Sequence, residues 1–335
     1  MSLDIKDNQA RIQLRFINKA LFNMIKKNKK SLMISFLLLF TVVSLISCST
    51  IKQQALKPAA FPTFSAESHR GGRGDMPENT IPAMLYSLSL DGITTLELDV
   101  HVTADKQLVL THDNYINPLF TLKPDGTEID KSENKNYPIY QMTYDEIKMF
   151  DVGSKVNKSF PEQKKMKLSI PLLENVIDSV QHYIKSHKRQ QIFYNIETKS
   201  AEAGDNVLNP LPEEFIKLLM DVVNKKGITP YVIIQSADVR TLQVLNDKYP
   251  HVRTSYLVGA RRKDYTVEED IEILGFDPDI YSPNFKYITK EDVEKCHKRG
   301  MKVVVWTPNT KKEIDKLKAM GVDGIITDYP ELLVE

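Results

Sequence analysis

Residues 302–328 read KVVVWTPNTKKEIDKLKAMGVDGIITD. An apolar run ends at Trp306 and a helical pattern occupies 310–320. Gly321 follows it, as helix C-terminal glycines do, and a second apolar run ends at Asp328. Strand, helix, strand in that order implies a parallel pair joined by a crossover. The same unit recurs along the chain. Strand candidates end near His69, Asp99, Glu197, Gln235, Leu257, Ser282, Trp306 and Asp328. Helical patterns at 79–90, 171–187, 212–226, 238–247, 289–299 and 310–320 lie between most of them, and Gly300 follows another of these helices. Eight strands with intervening helices predict an α/β fold, a (β/α)8 TIM barrel. No internal sequence repeat is visible.

One apolar run falls outside this count. VHVTADKQLVLTH, residues 100–112, holds two alternating stretches around Thr103-Ala104-Asp105-Lys106 and reads as a hairpin. As a ninth barrel strand it would break the βα order. It is expected instead to extend the second strand above the rim and return, which brings His112 beside Asp99. Residues 113 to about 168 are long and polar, with Pro118, Pro124, Gly126, Pro138, Gly153 and Pro161, and look helical only over 143–150. Long loops in compact domains usually serve a function, and this one is expected to be an insertion covering the mouth of the barrel.

The chain has 335 residues, 41% hydrophobic and 27% charged, which is a globular composition of one or two domains. Lys plus Arg total 45 against 44 Asp plus Glu. Without a basic excess or a basic patch after residue 50, nucleic acid is not an expected partner. Only two cysteines are present, and the length suffices to bury a core without disulfides.

The N-terminus carries an address. The apolar or small stretch LMISFLLLFTVVSLIS, residues 32–47, follows the basic run Lys26-Lys27-Asn28-Lys29-Lys30, a positive region ahead of a hydrophobic one. It ends in Leu45-Ile46-Ser47-Cys48, which resembles a bacterial lipobox, where signal peptidase II cuts before a cysteine that carries diacylglycerol. The alternative is a single-pass anchor, for which the segment is short. Residues 1–48 are therefore expected as leader and lipoprotein signal peptide, with lipidation at Cys48. Translation starts at Met24 or the extra leader is tolerated. Residues 49–64 are expected as a polar tether and 65–335 as the barrel. The protein is then lipid-anchored in the bacterial cell envelope, on the periplasmic or cell-surface side. Cys296, in the helix-like EDVEKCHKRG, reads as a small packed residue and not a nucleophile.

Catalytic groups in such barrels collect at the C-terminal ends of strands. Glu97 and Asp99 stand two apart on one strand, so both aim at one face. Glu197 and Lys199, in QIFYNIETK, repeat the geometry on the next barrel strand. Three clustered carboxylates without cysteine suit one hard divalent cation, Mg²⁺ or Ca²⁺; without a cation their mutual repulsion is costly. His69 and His112 flank the cluster and can act as acid and base near neutrality. Arg70 can grip a phosphate with two parallel hydrogen bonds, and Lys199 adds a point charge. Arg70 can equally serve to neutralise Glu78, and Glu78 can orient Arg70 or a histidine from behind. In Pro77-Glu78-Asn79-Thr80, Asn79 or Thr80 can cap the first helix, with Pro82 early in it, so that motif reads as architectural. Trp306, the only tryptophan, ends a strand and either walls the substrate pocket or belongs to the core.

Together HRG (69–71), PENT (77–80), ELDV (97–100), THD (111–113), IETK, VWTPN and the closing GIITDYP resemble the glycerophosphodiester phosphodiesterase family, over about residues 65 to 333. The resemblance implies a (β/α)8 barrel that hydrolyses glycerophosphodiesters to glycerol 3-phosphate and an alcohol. By position, Glu97, Asp99 and Glu197 look like its metal ligands, His69 and His112 like its general acid and base, and Arg70 and Lys199 like its phosphate contacts. Which histidine is acid and which is base stays open. The chain departs from the family in HDNYINPLFTL, where the family continues HD with leucine and then Arg-Thr. It also departs at Gln235-Ser236-Ala237, where an aromatic usually follows the serine, and in Gly-Arg-Gly-Asp-Met at 72–76, which adds an arginine and an aspartate. Two other readings compete. One is a phospholipase D-like phosphodiesterase acting on lysophospholipid or sphingomyelin, which shares the paired histidines and the Glu-Asp site. The other is a non-catalytic lipoprotein that binds headgroups on an inherited barrel, which loss of a histidine or carboxylate would signal; none is lost.

Overall fold

A computed structural model describes residues 57–259 and 266–334. Its strands are β1 (Ser65–Ser68), β2 (Thr95–Val102), β3 (Leu108–Leu110), β4 (Phe193–Thr198), β5 (Val232–Ser236), β6 (Arg253–Val258), β7 (Ile280–Pro283), β8 (Lys302–Trp306) and β9 (Gly324–Thr327). All but β3 are parallel and follow one another round the sheet, and β1 pairs with both β2 and β9, which closes the ring. The result is the eight-stranded parallel barrel expected from the sequence, with no open edge.

The helices are α1 (Ile81–Ser89), α2 (Tyr144–Ile147), α3 (Leu173–Ser186), α4 (Pro212–Lys226), α5 (Val239–Lys248), α6 (Val267–Leu274), α7 (Lys290–Lys298), α8 (Lys311–Met320) and α9 (Glu331–Val334). Helix α6 lies between strands where the sequence pattern predicts no helix. Its eight residues, VEEDIEIL, carry three acids in the first turn, which blurs the apolar period. Its one clear signal is the capping box of Thr266 and Glu269.

Packing explains why the acids face inward. Leu96, Leu98 and Val100 are fully buried on the outer face of β2, in the same apolar cluster as Met84 and Leu88 of α1 and Val176, Ile177 and Val180 of α3. Burying each such side chain contributes roughly 1.5–3 kcal/mol. A one-residue slip would exchange these residues with Glu97 and Asp99. The outer face thus holds the register that sends both carboxylates into the barrel.

The hairpin forms as expected. β3 runs antiparallel to the upper part of β2, pairing Val100 with Leu110, His101 with Val109 and Val102 with Leu108. Thr103 N donates to Gln107 O at 2.9 Å across the turn, and Lys106 takes the left-handed conformation, φ 60°. The following insertion packs a small core of its own, Ile116, Ile129, Ile139, Ile147, Phe150 and Val152, against Val109 and Ile170. Those contacts draw it to the side of the hairpin. It borders the barrel mouth instead of covering it, and no residue of 113–168 lines the cleft described below. Of the helical stretch expected at 143–150, only Tyr144–Ile147 is α-helical.

Residues 57–64, the last part of the expected tether, lie against the strand-start end of the barrel. Ala59 N donates to Pro230 O at 2.8 Å, the Arg253 guanidinium donates to Ala59 O, and Phe61 meets Phe193 with ring centroids 6.4 Å apart. The leader, Met24, Cys48 and the first part of the tether lie outside the described residues. Among the described residues no helix is long and apolar enough to cross a membrane. Cys296 is buried, as expected of a packed residue, and burial pushes its thiol up to about 12.

Candidate active site

Strand register builds the acid cluster. Asp99 of β2 stands opposite Glu197 of β4, and Glu97 opposite Asn195. Glu97, Asp99 and Glu197 are all buried, and one oxygen from each lies within 4.8 Å of the others. Burial and the repulsion of Asp99 and Glu197 push the Glu97 carboxyl well above its usual range. Burial also raises Glu197, partly offset by Lys199. For Asp99, burial is outweighed by Arg70 and Lys199, which hold it far below the usual carboxylate range.

Three buried carboxylates that resist ionising together call for positive charge. Two cations supply part of it. Lys199 Nζ sits 2.8 Å from Glu197 Oε1 and 3.7 Å from Asp99 Oδ1. Arg70 Nε lies 3.1 Å from Asp99 Oδ2 and its Nη1 2.8 Å from Glu78 Oε1. Glu78 therefore pairs with Arg70 from the side away from Asp99. Arg70 takes the left-handed conformation, φ 51°. Its own N–H donates to Glu97 Oε2 at 2.9 Å, so that turn ties the main chain to the cluster. The group fits a divalent cation: the donors are hard oxygens, they converge, and Asp99 Oδ1 is buried with no hydrogen-bond partner.

The two histidines share one arrangement. His69 Nδ1 lies 2.6 Å from Asp328 Oδ1. Burial opposes ionisation of Asp328, but the His69 hydrogen bond and Arg73 hold it far below the usual range. An ionised carboxylate only accepts, so His69 Nδ1 carries the proton and Nε2 is left to react. Nε2 points toward Glu97, 4.0 Å from Oε2. Burial, then Arg70, lowers His69 to about 4 despite Asp328, so the ring rests neutral. His112 Nδ1 lies 2.9 Å from Asp113 Oδ1, whose carboxyl the His112 contact helps hold low against burial. His101 Nε2 donates to His112 O at 3.3 Å, which fixes the end of the hairpin.

His69, Arg70, Glu97, His112, Glu197 and Lys199 meet in a cleft of about 180 Å³ at the strand C-terminal ends. Asp99 stands just behind it. Trp306 both walls this cleft and packs on the barrel interior; its indole N–H donates to Ser282 O at 3.0 Å. A larger hollow of about 650 Å³ lies at the opposite end of the strands, around Gly92, Arg189 and Phe193. Among the described residues it holds no acid cluster.

Several site residues were not read from the sequence. Asn79, one of the two cap candidates, bonds Asp99 twice: its amide donates to Oδ2 at 2.8 Å and its Oδ1 accepts from Asp99 N at 3.1 Å. Thr80 is the cap, accepting from Ala83 N. Asp328 ends the last strand in the sequence pattern, and that position is the one signal of its place at the site. Arg73, from the unusual Gly-Arg-Gly-Asp-Met, lines the cleft and binds Asp328. Below the acids, Glu67 accepts from Asn195 Nδ2 and Ser65 Oγ, both at 2.8 Å, and burial pushes it up to about 7.

Two cations beside a buried acid cluster, with an imidazole on either flank, form a constellation suited to phosphate ester chemistry. The chain belongs to the glycerophosphoryl diester phosphodiesterase family, whose pattern it matches over residues 69–332. It is an enzyme of that class. It is similar to the glycerophosphodiester phosphodiesterase of Caldanaerobacter subterraneus subsp. tengcongensis, 30% identical over 267 residues, 80% of this chain and 95% of that one. A crystal structure from Silicibacter pomeroyi DSS-3 matches with a TM-score of 0.71 at 28% identity, over 83% of this chain and 94% of that chain. A lysophospholipase D of Mus musculus is 24% identical over 285 residues, 79% of this chain and 83% of that one.

Proposed function

We propose that this enzyme hydrolyses glycerophosphodiesters to glycerol 3-phosphate and an alcohol in a reaction that needs one divalent cation, Mg²⁺ or Ca²⁺. The observation that carries the reading is the convergence of three buried carboxylates with two carboxylate-held imidazoles on one cleft. Glu97, Asp99 and Glu197 would hold the cation, which when bound supplies Lewis acidity at a phosphoryl oxygen. Asn79, donating to Asp99, keeps that carboxylate aimed. Arg70 and Lys199 face the scissile phosphate and offset the charge that builds there. One of His69 and His112 takes the proton from the nucleophile, a neighbouring glycerol hydroxyl or a water, and the other gives a proton to the departing alcohol oxygen. Asp328 and Asp113 hold the two rings so that Nε2 of each exchanges the proton. Trp306 walls the substrate. We further propose that the chain is exported and lipid-anchored at Cys48, as its lipobox-like stretch suggests.

The test is product analysis with purified protein on glycerophosphocholine, glycerophosphoethanolamine, glycerophosphoinositol and lysophospholipids. Glycerol 3-phosphate release from the first three is the expected result. Cleavage of lysophospholipid alone would favour the activity named for the mouse relative, and no cleavage of any would leave a headgroup-binding protein. Metabolic labelling with a fatty acid, lost in Cys48→Ser, tests the anchor.

A further inference from the structure

Of the cations lining the cleft, two serve the acid cluster and the scissile phosphate beside it. Arg70 is ion-paired to Asp99 and Glu78 with its side chain 9% exposed, and Lys199 to Glu197 and Asp99 at 17%. Arg73 differs. Its side chain is 23% exposed and it touches none of the three clustered carboxylates among its ion pairs. Its Nε donates to Asp328 Oδ1 at 2.6 Å and its Nη2 to Asp328 Oδ2 at 3.4 Å. Its nearest other acid oxygen, Glu78 Oε2, stands 3.8 Å from Nη1, beyond hydrogen-bond range.

The guanidinium is also held in place. It lies over the Phe160 ring at 5.0 Å, and Gln163 Nε2 fixes the Arg73 carbonyl at 2.7 Å. Both holding residues come from the insertion, so this segment has a task at the mouth although it does not cover it. A planar cation, rigid on one edge and with unbonded N–H groups on the other, is a preorganised receptor for a carboxylate or phosphate.

We propose that Arg73 forms a second anion subsite, which recognises a carboxylate or phosphate monoester on the substrate beyond the scissile phosphate. This rests on the glycerophosphodiesterase reading above and adds to it a preference, among the diesters cleaved, for those whose alcohol carries negative charge. A choline headgroup finds the opposite chemistry at this point. A quaternary ammonium is held by open aromatic faces, and the Phe160 face is already covered by Arg73.

The experiment compares kcat/KM on four glycerophosphodiesters of three headgroup classes: one with a neutral alcohol (glycerol), one with a cationic alcohol (choline), and two with anionic alcohols (glycolate, and glycerol bearing a terminal phosphate). Wild type should prefer the anionic diesters. Arg73→Met should lower kcat/KM for those by about ten- to a hundredfold more than for the neutral diester, the excess coming chiefly through KM. Arg73→Lys should restore part of the loss. The glycolate and terminal-phosphate arms distinguish the two anion types. An equal fall on all three headgroup classes would mean that Arg73 acts only through Asp328 and His69 and would overturn the proposal, as would an unchanged preference. Loss of all hydrolysis in wild type would refute the reaction assigned to the site instead.

Discussion

Asp328→Asn removes the acceptor that holds His69. The native contact is short, 2.6 Å, and both groups are largely buried. Asparagine keeps the size and one carbonyl oxygen, which Asn309 and Arg73 also compete to bind, since both donate to Asp328 at 2.6–2.7 Å. A hydrogen bond to a charged partner contributes about 1.5–3 kcal/mol. At about 1.4 kcal/mol per factor of ten, its loss in the transition state slows turnover by about ten- to a hundredfold. KM should change little, because Asp328 does not line the cleft. Asp328 is also the partner that raises the His69 pKa against burial and Arg70. Without it the pH limb belonging to His69 should move to lower pH, whichever proton transfer that histidine performs. The assay is glycerol 3-phosphate release by purified protein across pH, with a thermal melt to show that the variant is folded. A folded Asp328→Asn with kcat within about threefold of wild type, or a limb displaced to higher pH, would refute the positioning role.

His69→Ala and His112→Ala should each reduce turnover by about a hundredfold or more, measured at saturating substrate; full activity in either would remove it from the proton transfers. Divalent cation at about a hundredfold over its dissociation constant should stabilise the fold by roughly 2.7 kcal/mol, seen as a rise in Tm that Asp99→Asn abolishes. Glu67 tests the buried charge beneath the site. Its folded pKa of about 7 lies above the 4.5 of the exposed group, so the folded state binds the extra proton. That stability is present below about 4.5 and is lost as pH rises through about 7. Glu67→Gln, which is always neutral, should therefore gain Tm relative to wild type at pH 8 and not at pH 4; an equal difference at both would show that the carboxyl titrates normally.

Much of this was legible in one chain because two periodicities rarely mislead. Alternation placed Glu97 and Asp99 on one face, and the βα rhythm placed Glu197 on the adjoining strand, so the cluster followed from spacing alone. The hairpin was legible because its two alternating stretches flank a polar turn. What stayed hidden depends on contacts that spacing does not encode. Asp328 is 259 residues from His69 and meets it only because β9 closes onto β1. Asn79 and Thr80 are both cap-type residues in the sequence; which of the two turns inward is decided by the backbone, and Asn79 takes φ 57°. The insertion was expected over the mouth from its length, whereas its apolar residues pack against the hairpin.

The central claim is that Glu97, Asp99 and Glu197 hold one divalent cation on which hydrolysis depends. Metal-stripped protein titrated with Mg²⁺ or Ca²⁺, with bound metal and glycerol 3-phosphate release followed on the same samples, tests it directly. One equivalent per chain should restore activity, and Glu97→Gln or Glu197→Gln should lose both together. Full activity in the stripped protein, or unchanged metal stoichiometry in those variants, would contradict it.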